Sequence, residues 1–226
     1  MARSRRGIGI WWVVGVAVGF LACGQAAQAR DDWNLWHDET ARVWARDRYA
    51  LSVYQAARYR DDMSEPFFVQ FKAVNRYALH PMLAIAGNYS YIQQKGSDNH
   101  WRDEHRPELE LVPTFTIGPV ALEHRLRMEL RLIEGDAGEA NWRYRHRMQA
   151  ALPIPRTDGQ LKLFANEEIF YATPPDEWNQ NRVFVGLSLA VHSRVAASVS
   201  WGIQSLRRGS DWEDRQILFL SAKVTL

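Results

Sequence analysis

The chain has 226 residues, a formal charge of +2 and a single cysteine. One cysteine excludes a disulfide framework and any Cys-based metal or redox centre, and the near-neutral charge excludes the basic excess that nucleic acid requires. The length suits one domain.

The first residues read as an export signal: basic Arg3, Arg5 and Arg6, an apolar run from Ile8 to Ala22, then small residues ending in Ala27-Gln28-Ala29. Residues 1–29 are therefore expected to be a cleaved signal peptide. A retained anchor is disfavoured because the apolar run is short for a spanning helix. A lipoprotein is disfavoured because Phe20-Leu21-Ala22-Cys23 carries Phe where the acylation motif expects an aliphatic residue. Cleavage removes Cys23 together with Arg3, Arg5 and Arg6, which turns +2 into −1.

Residues 30–47 fit no single period. Trp33, Trp36, Thr40 and Val43 have helical spacing, yet the stretch from Trp36 to Trp44 reads equally well as an extended arm. They are expected to form an N-terminal extension that lies in or beneath the next region, or pairs partly with its first strand.

From residue 48 onward, segments of strand length alternate with turn chemistry. Strands are predicted near 48–60, 66–77, 82–94, 104–116, 119–133, 140–152, 160–171, 178–191, 195–207 and 214–226. Between Val120 and Ile133 the alternation is nearly perfect, with Leu122, Leu126, Met128, Leu130 and Leu132 on one face and Glu123, Arg125, Arg127, Glu129 and Arg131 on the other. A period of two with unlike faces is a strand whose sides meet different media. The outward rows continue in Leu83, Ile85, Gly87, Tyr89 and Tyr91, in Val183, Val185, Leu187, Leu189 and Val191, and in Leu218, Leu220, Ala222, Val224 and Leu226. Tyr49, Tyr59, Phe67, Tyr77, Trp142, Tyr144, Tyr171 and Trp201 are candidate interfacial rings.

The connections alternate between longer polar loops and mostly tight turns, as in an outer-membrane barrel. Residues 48–226 are thus read as an all-β, antiparallel, up-and-down transmembrane barrel of about ten strands. Twelve is the alternative count, and both termini are expected at the short-turn, periplasmic end. A soluble periplasmic barrel or sandwich, with the apolar rows turned inward, is the competing architecture.

The charged rows predict a ladder in the lumen, built from Glu104, Arg106, Glu108, Glu110, Arg125, Arg127, Glu129, Arg131, Arg143, Arg145, Arg147, Glu168 and Arg182. A hairpin turn at Ile117-Gly118 would place Glu110 opposite Arg125, Glu108 opposite Arg127, Arg106 opposite Glu129, and Glu104 opposite Arg131. Centring the next hairpin on Ala137 would set Glu129 opposite Arg145, and one on Pro175 would set Glu168 opposite Arg182. So many crossing side chains should fill a narrow barrel and leave no wide diffusion pore. His124, His146 and Glu167 fall on the outward face, and a bulge near Asn166 is one way to accommodate them.

An early tryptophan (Trp36), the segment from Tyr54 to Arg60, Asn166-Glu167-Glu168-Ile169-Phe170, and Asn179-Gln180-Asn181-Arg182 followed by Gly186-Leu187 together resemble the domain-of-unknown-function 2490 family of Gram-negative outer-membrane proteins. The family-motif positions are Asn166, Glu167, Asn181, Arg182 and Gly186. The resemblance implies an outer-membrane barrel and transfers no catalytic residue. The chain departs from outer-membrane practice by ending on Leu226 where an aromatic residue is common.

Three chemistries compete with a purely structural role. A lipid-modifying enzyme would need Ser and His within hydrogen-bond reach at the bilayer edge, with His124, His146 and His192-Ser193 as candidates. The loop containing Asp98, His100, Asp103, Glu104 and His105 holds possible metal ligands but has the composition of an ordinary solvated loop. Glu167, Glu168 and Arg182 could instead select a small charged solute. The expected protein is a monomeric outer-membrane barrel with a structural role or a narrow passage for solute or lipid. It is expected to have no enzymatic activity, cofactor, metal or nucleic-acid partner, to contact outer-membrane lipid, and to be assembled by the barrel-assembly machinery.

Overall fold

The computed structural model describes residues 33–96, 98–135 and 141–226; the expected signal peptide lies outside them. Eleven strands follow one another: β1 (Trp33–Arg46), β2 (Tyr49–Arg60), β3 (Glu65–His80), β4 (Leu83–Lys95), β5 (Trp101–Ile117), β6 (Val120–Ile133), β7 (Asn141–Pro153), β8 (Leu161–Thr173), β9 (Glu177–His192), β10 (Val195–Arg208) and β11 (Asp211–Thr225). Each pairs antiparallel with its sequence neighbour, and β1 closes the barrel against β11 in parallel. Every edge is paired.

Eleven strands stand where about ten were expected, because residues 33–46, read as an extension lying in or beneath the barrel or pairing partly with its first strand, form a full wall strand between β2 and β11. The outward row of β1 reads Leu35, His37, Glu39 and Ala41, so it lacks the apolar alternation that identifies its neighbours. The odd count also corrects the placement of the ends. Met63 N–H donates to Trp33 O at 3.0 Å, whereas Leu226 N–H donates to Arg42 O at 3.1 Å. The described chain thus starts at the long-loop end and finishes at the short-turn end.

The two faces are sorted by polarity. Leu126 and Leu187 on the outer face are 47% and 39% exposed, while Glu129 and Glu168 on the inner face are 0% and 5% exposed. A water-soluble barrel with its apolar rows inside has the reverse arrangement, so that architecture is overturned. Outward aromatic contacts occur at both ends, with Trp44 against Tyr49 near the short turns and Tyr171 against Trp178 near the long loops.

The register between β5 and β6 differs from the expected one by two residues. Ile117 pairs with Val120, so the turn is Gly118-Pro119, with Gly118 at a φ of 58°. A glycine of positive φ before a residue of negative φ is the order a type II′ hairpin requires. Glu110 therefore faces Arg127, and Glu108 faces Glu129. Likewise Glu129 faces Arg143, and Arg127 faces Arg145. Glu168 does face Arg182. A slip of two keeps every side chain on its expected face, because the side-chain period is also two.

Two glycines make room on the inner wall, Gly202 for an aromatic side chain and Gly186 for the backbone and side chain of the neighbouring strand. A Cβ at Gly202 would stand 2.3 Å from Cδ1 of Phe184, and one at Gly186 would stand 2.3 Å from the carbonyl oxygen of Val199. Phe184 thereby reaches Trp36 and Ile217 to form an apolar cluster inside an otherwise polar lumen. Gly202→Ala should destabilise the barrel by about 1–3 kcal/mol through overpacking. Gly87→Ala, where a Cβ meets nothing within 4 Å, should leave the urea midpoint of the refolded protein in detergent unchanged.

Candidate functional site in the barrel lumen

The central lumen is built around buried carboxylates. Glu129, fully enclosed, receives Arg143 Nε and Arg145 Nη1 at 2.6 Å each and Arg127 Nη1 at 3.3 Å, with Arg106 Nη1 at 3.9 Å. Glu168 receives Arg125 Nη2 at 2.6 Å and both Arg145 Nη2 contacts at 2.8 Å, with Arg182 Nη1 at 3.8 Å. Glu104 takes Arg106 Nε at 2.7 Å and Arg131 Nε and Nη2 at 2.9 and 3.0 Å. Glu110 takes Arg127 Nε at 2.6 Å, and Glu108 takes Lys72 Nζ at 2.9 Å and Ser90 Oγ at 2.8 Å.

The thirteen charges singled out from sequence meet here, but mostly along diagonals. Glu104 with Arg131 and Glu129 with Arg145 are hydrogen-bonded although they do not face each other; Glu108 and Arg127 approach to 3.6 Å. Glu110 bonds Arg127, not the expected Arg125. Arg147 turns to Glu123 at 2.5 Å. Charge-assisted pairs of this kind need excellent geometry to offset the desolvation of both partners.

A second feature lies beside the ion pairs: a stack of alternating rings and guanidinium groups. Arg58 sits between Phe68 and Trp36, at 4.0 and 4.2 Å from their ring centroids. Arg182 lies over both Trp36 and Phe170, at 4.7 and 4.6 Å, and Arg145 also lies over Phe170 at 4.6 Å. The stack links β3, β2, β1, β9, β8 and β7, and it obstructs the lumen toward the long-loop end. With its amide oxygen turned toward the stack, Gln180 accepts from Arg182 Nε at 2.6 Å and Nη2 at 2.7 Å and from Gln204 Nε2 at 2.7 Å. Each cation over a desolvated ring contributes about 0.5–2 kcal/mol. Of its members the sequence pattern singled out only Arg145 and Arg182 as site residues; Trp36, Arg58 and Phe170 fell within the segments that carry the family resemblance, and Phe68 drew no role.

The short-turn half is different. A cavity of about 490 Å³ is lined there by Thr114, Thr116, Glu123 and Gln149 together with the apolar Pro81, Met82, Phe115, Ala121, Leu122 and Ala151. On strands β1, β3 and β11 the inward rows toward this end finish with Arg42, Arg76 and Lys223. Inward cations exceed inward carboxylates across the lumen as a whole, although the chain outside the signal is close to neutral.

The outward polar residues are satisfied among themselves and not by a bulge at Asn166. His124 Nδ1 and His146 Nε2 are 3.1 Å apart, with Phe115 stacked on His124, and Asn181 Nδ2 donates to Glu167 at 3.1 Å. The bulge in this hairpin falls at Phe170/Tyr171. Of the family-motif positions, Asn181 and Glu167 thus face outward, Arg182 and Gly186 inward, and Asn166 lies level with Gln149.

His192 and Ser193 form a turn contact at 3.3 Å, and His192 Nδ1 also receives Arg194 N–H at 3.4 Å. In the loop with possible metal ligands, Asp98 accepts the backbone N–H of His100 and the Arg102 guanidinium, which hold its carboxyl below the usual range. Among the described residues no group of three or more His, Cys, Asp or Glu is placed to hold a metal ion.

Comparison with known proteins gives three findings. The profile of the family described as "Protein of unknown function (DUF2490)" matches residues 33–215, a range that includes β1. An uncharacterized protein of Methylorubrum extorquens is 22% identical over 201 residues, covering 85% of each chain. The crystal structure of the siderophore receptor PirA from Pseudomonas aeruginosa aligns at 10% identity with a TM-score of 0.33, over 74% of this chain and 37% of the receptor, an overlap too loose to inform the site.

Glu129→Gln removes the anion from a node of buried guanidinium groups and should cost about 3–5 kcal/mol. Glu123→Gln breaks a pair whose side chains are 32% and 24% exposed and should cost about 1 kcal/mol or less. Urea unfolding of the two variants in detergent micelles, followed by tryptophan fluorescence, measures the difference.

Proposed function

This chain belongs to the DUF2490 family of proteins of unknown function, so membership brings no activity with it, and we propose from its geometry that it is an outer-membrane β-barrel with an electrostatically plugged lumen. The carrying observation is the sorting of faces: exposed leucines outside and enclosed Arg–Glu pairs inside. That distribution suits a wall in contact with acyl chains, where outward charge is penalised and inward charge is tolerated. Rings at both ends of the outer face support the same reading. The export signal read in residues 1–29 supports delivery to the envelope, and assembly would fall to the barrel-assembly machinery.

The plug sets the scale of any transport. Ion pairs across the middle and the ring–guanidinium stack toward the long loops leave no wide channel, so the protein acts as a closed barrel or passes only small solutes. The short-turn half, open and polar, is the receiving side, and in an outer membrane it faces the periplasm.

Neighbouring positions on β9 test the membrane reading. Leu187 is outward and Ser188, beside it, is inward. Arginine at an exposed site in water is nearly neutral, whereas at the bilayer midplane it costs about 2–4 kcal/mol. Leu187→Arg should therefore reduce the heat-modifiable, membrane-fractionating form far more than Ser188→Arg. Equal yields, or folded protein released into the periplasmic fraction without detergent, would reject a membrane barrel.

A second measurement tests the plug. Purified protein in planar bilayers should show no large steady conductance. The double variant Trp36→Ala/Arg58→Ala, which removes the middle of the stack, should show larger and more frequent openings. A wild-type barrel that conducts like a general porin would overturn the plugged reading.

A further inference from the structure

Arg42, Arg76 and Lys223 differ from every other cation discussed so far. The central guanidinium groups each touch a carboxylate or an aromatic face, but among the described residues no ion pair, side-chain hydrogen bond or ring contact engages these three. Their inward placement follows from register. Arg42 continues the row of Asn34 and Trp36 on β1, Arg76 continues Phe68, Gln70 and Lys72 on β3, and Lys223 continues Ile217 and Phe219 on β11. Lys223 lies within electrostatic range of both arginines and of Glu123 on the opposite wall.

The nearby inward carboxylates are already engaged. Glu123 is paired with Arg147 at 2.5 Å, and Asp38 accepts from Tyr54 Oη at 3.2 Å. The same half of the lumen contains the cavity of about 490 Å³, whose polar wall of Thr114, Thr116, Glu123 and Gln149 on β5, β6 and β7 lies across the lumen from the three cations. Its volume is in the range of small-molecule sites, which run from about 300 to 1,000 Å³. The cavity wall mixes hydroxyls and an amide with Met82, Phe115 and Leu122, so the selective feature is charge: three unpaired cations on one rim suit a ligand with more than one negative charge.

We propose that the short-turn half of the lumen is a binding site for a phosphate-bearing polyanion, with Arg42, Arg76 and Lys223 as its charge-recognising residues and Thr114, Thr116 and Gln149 as hydrogen-bonding wall. The proposal deepens the plugged-barrel reading by naming what the open half receives. It depends on that reading only for the side from which the ligand enters. The phosphate group has two possible sources, a soluble metabolite or a phospholipid headgroup reaching in from the rim.

The test uses full-length mature protein in non-ionic detergent at low salt, with inorganic pyrophosphate as probe in calorimetric titration. Saturable binding is expected, weakening at least tenfold in Arg42→Gln/Lys223→Gln and unchanged in Arg102→Gln, a cation at the long-loop end. The heat-modifiability shift of each variant reports whether it has folded, and Arg76→Gln alone provides a milder substitution if the double variant does not. In parallel, phosphorus-bearing lipid retained through detergent exchange is quantified by mass spectrometry. Pyrophosphate binding lost in the folded double variant assigns a soluble anion. Retained phospholipid that the folded variant loses assigns a headgroup. Absence of both, or binding that survives in the folded double variant, overturns the site. None of these results bears on membrane residence, which the Leu187 and Ser188 comparison decides separately.

Discussion

Glu129 has no solvent exposure and is surrounded by the guanidinium groups of Arg143, Arg145, Arg127 and Arg106. Removing an ion from water costs several kcal/mol even after relaxation, and only close partners with good geometry offset it. Arg127 illustrates the consequence, since it is shared among Glu110, Glu108 and Glu129 and so ties β5 to β6 and one level of the lumen to the next. Moving any of these strands by one residue would turn its charges outward and its leucines inward. The interior network and the exterior polarity are thus one constraint seen from two sides.

Closure of the barrel depends on β1, the strand with the least regular pattern. Its inward row supplies Trp36, which stacks against Arg58 and Arg182 and contacts Phe184 and Phe219. Its outward row places His37 and Glu39 on the external surface, where Gln55 Nε2 donates to Glu39 at 2.8 Å and Tyr59 stacks on His37. The outward polarity of β1 is therefore met by β2, and on the inside arginines cover the Trp36 ring while the buried Asn34 amide and Trp36 Nε1 make no hydrogen bond among the described residues. The strand is held through particular partners, and its pairing with β11 is parallel because an odd number of alternating strands brings the first and the last together running the same way.

What the sequence revealed follows from the periods involved. Face assignment depends only on parity, so Leu126, Arg127 and Glu129 could be placed correctly even though the hairpin turn lies at Gly118-Pro119 and the facing pairs were displaced by two. Glu168 and Arg182 were matched although the turn-side pairs Ala172–Glu177 and Tyr171–Trp178 centre between Pro174 and Pro175, because the bulge at Phe170/Tyr171 shifts the register by one residue. The stack of Phe68, Arg58, Trp36, Arg182, Phe170 and Arg145 was not legible, since its members come from six strands and no spacing within one segment joins them. Strand β1 was missed for a different reason: His37 and Glu39 break the apolar row, while Trp33, Trp36, Thr40 and Val43 mimic a helix. The cations Arg42, Arg76 and Lys223 passed unnoticed because each is a lone charge at the end of its own row.

The distribution of charge along the lumen gives the two halves different physical characters. Where carboxylates are dense, near Glu104, Glu108, Glu129 and Glu168, each cation is held and the chain has fixed its own counter-ions. Where they thin out, toward Arg42, Arg76 and Lys223, the field of the barrel is positive and its interior is open. An anion entering from that end is attracted throughout its approach, because the excess of inward cations lies ahead of it as well as around it. It is stopped by groups whose hydrogen-bonding capacity is already taken by glutamate. A barrel organised this way captures anions at one mouth and resists their passage, and the depth of capture is set by the last engaged carboxylates, Glu123 paired with Arg147 and Asp38 hydrogen-bonded by Tyr54.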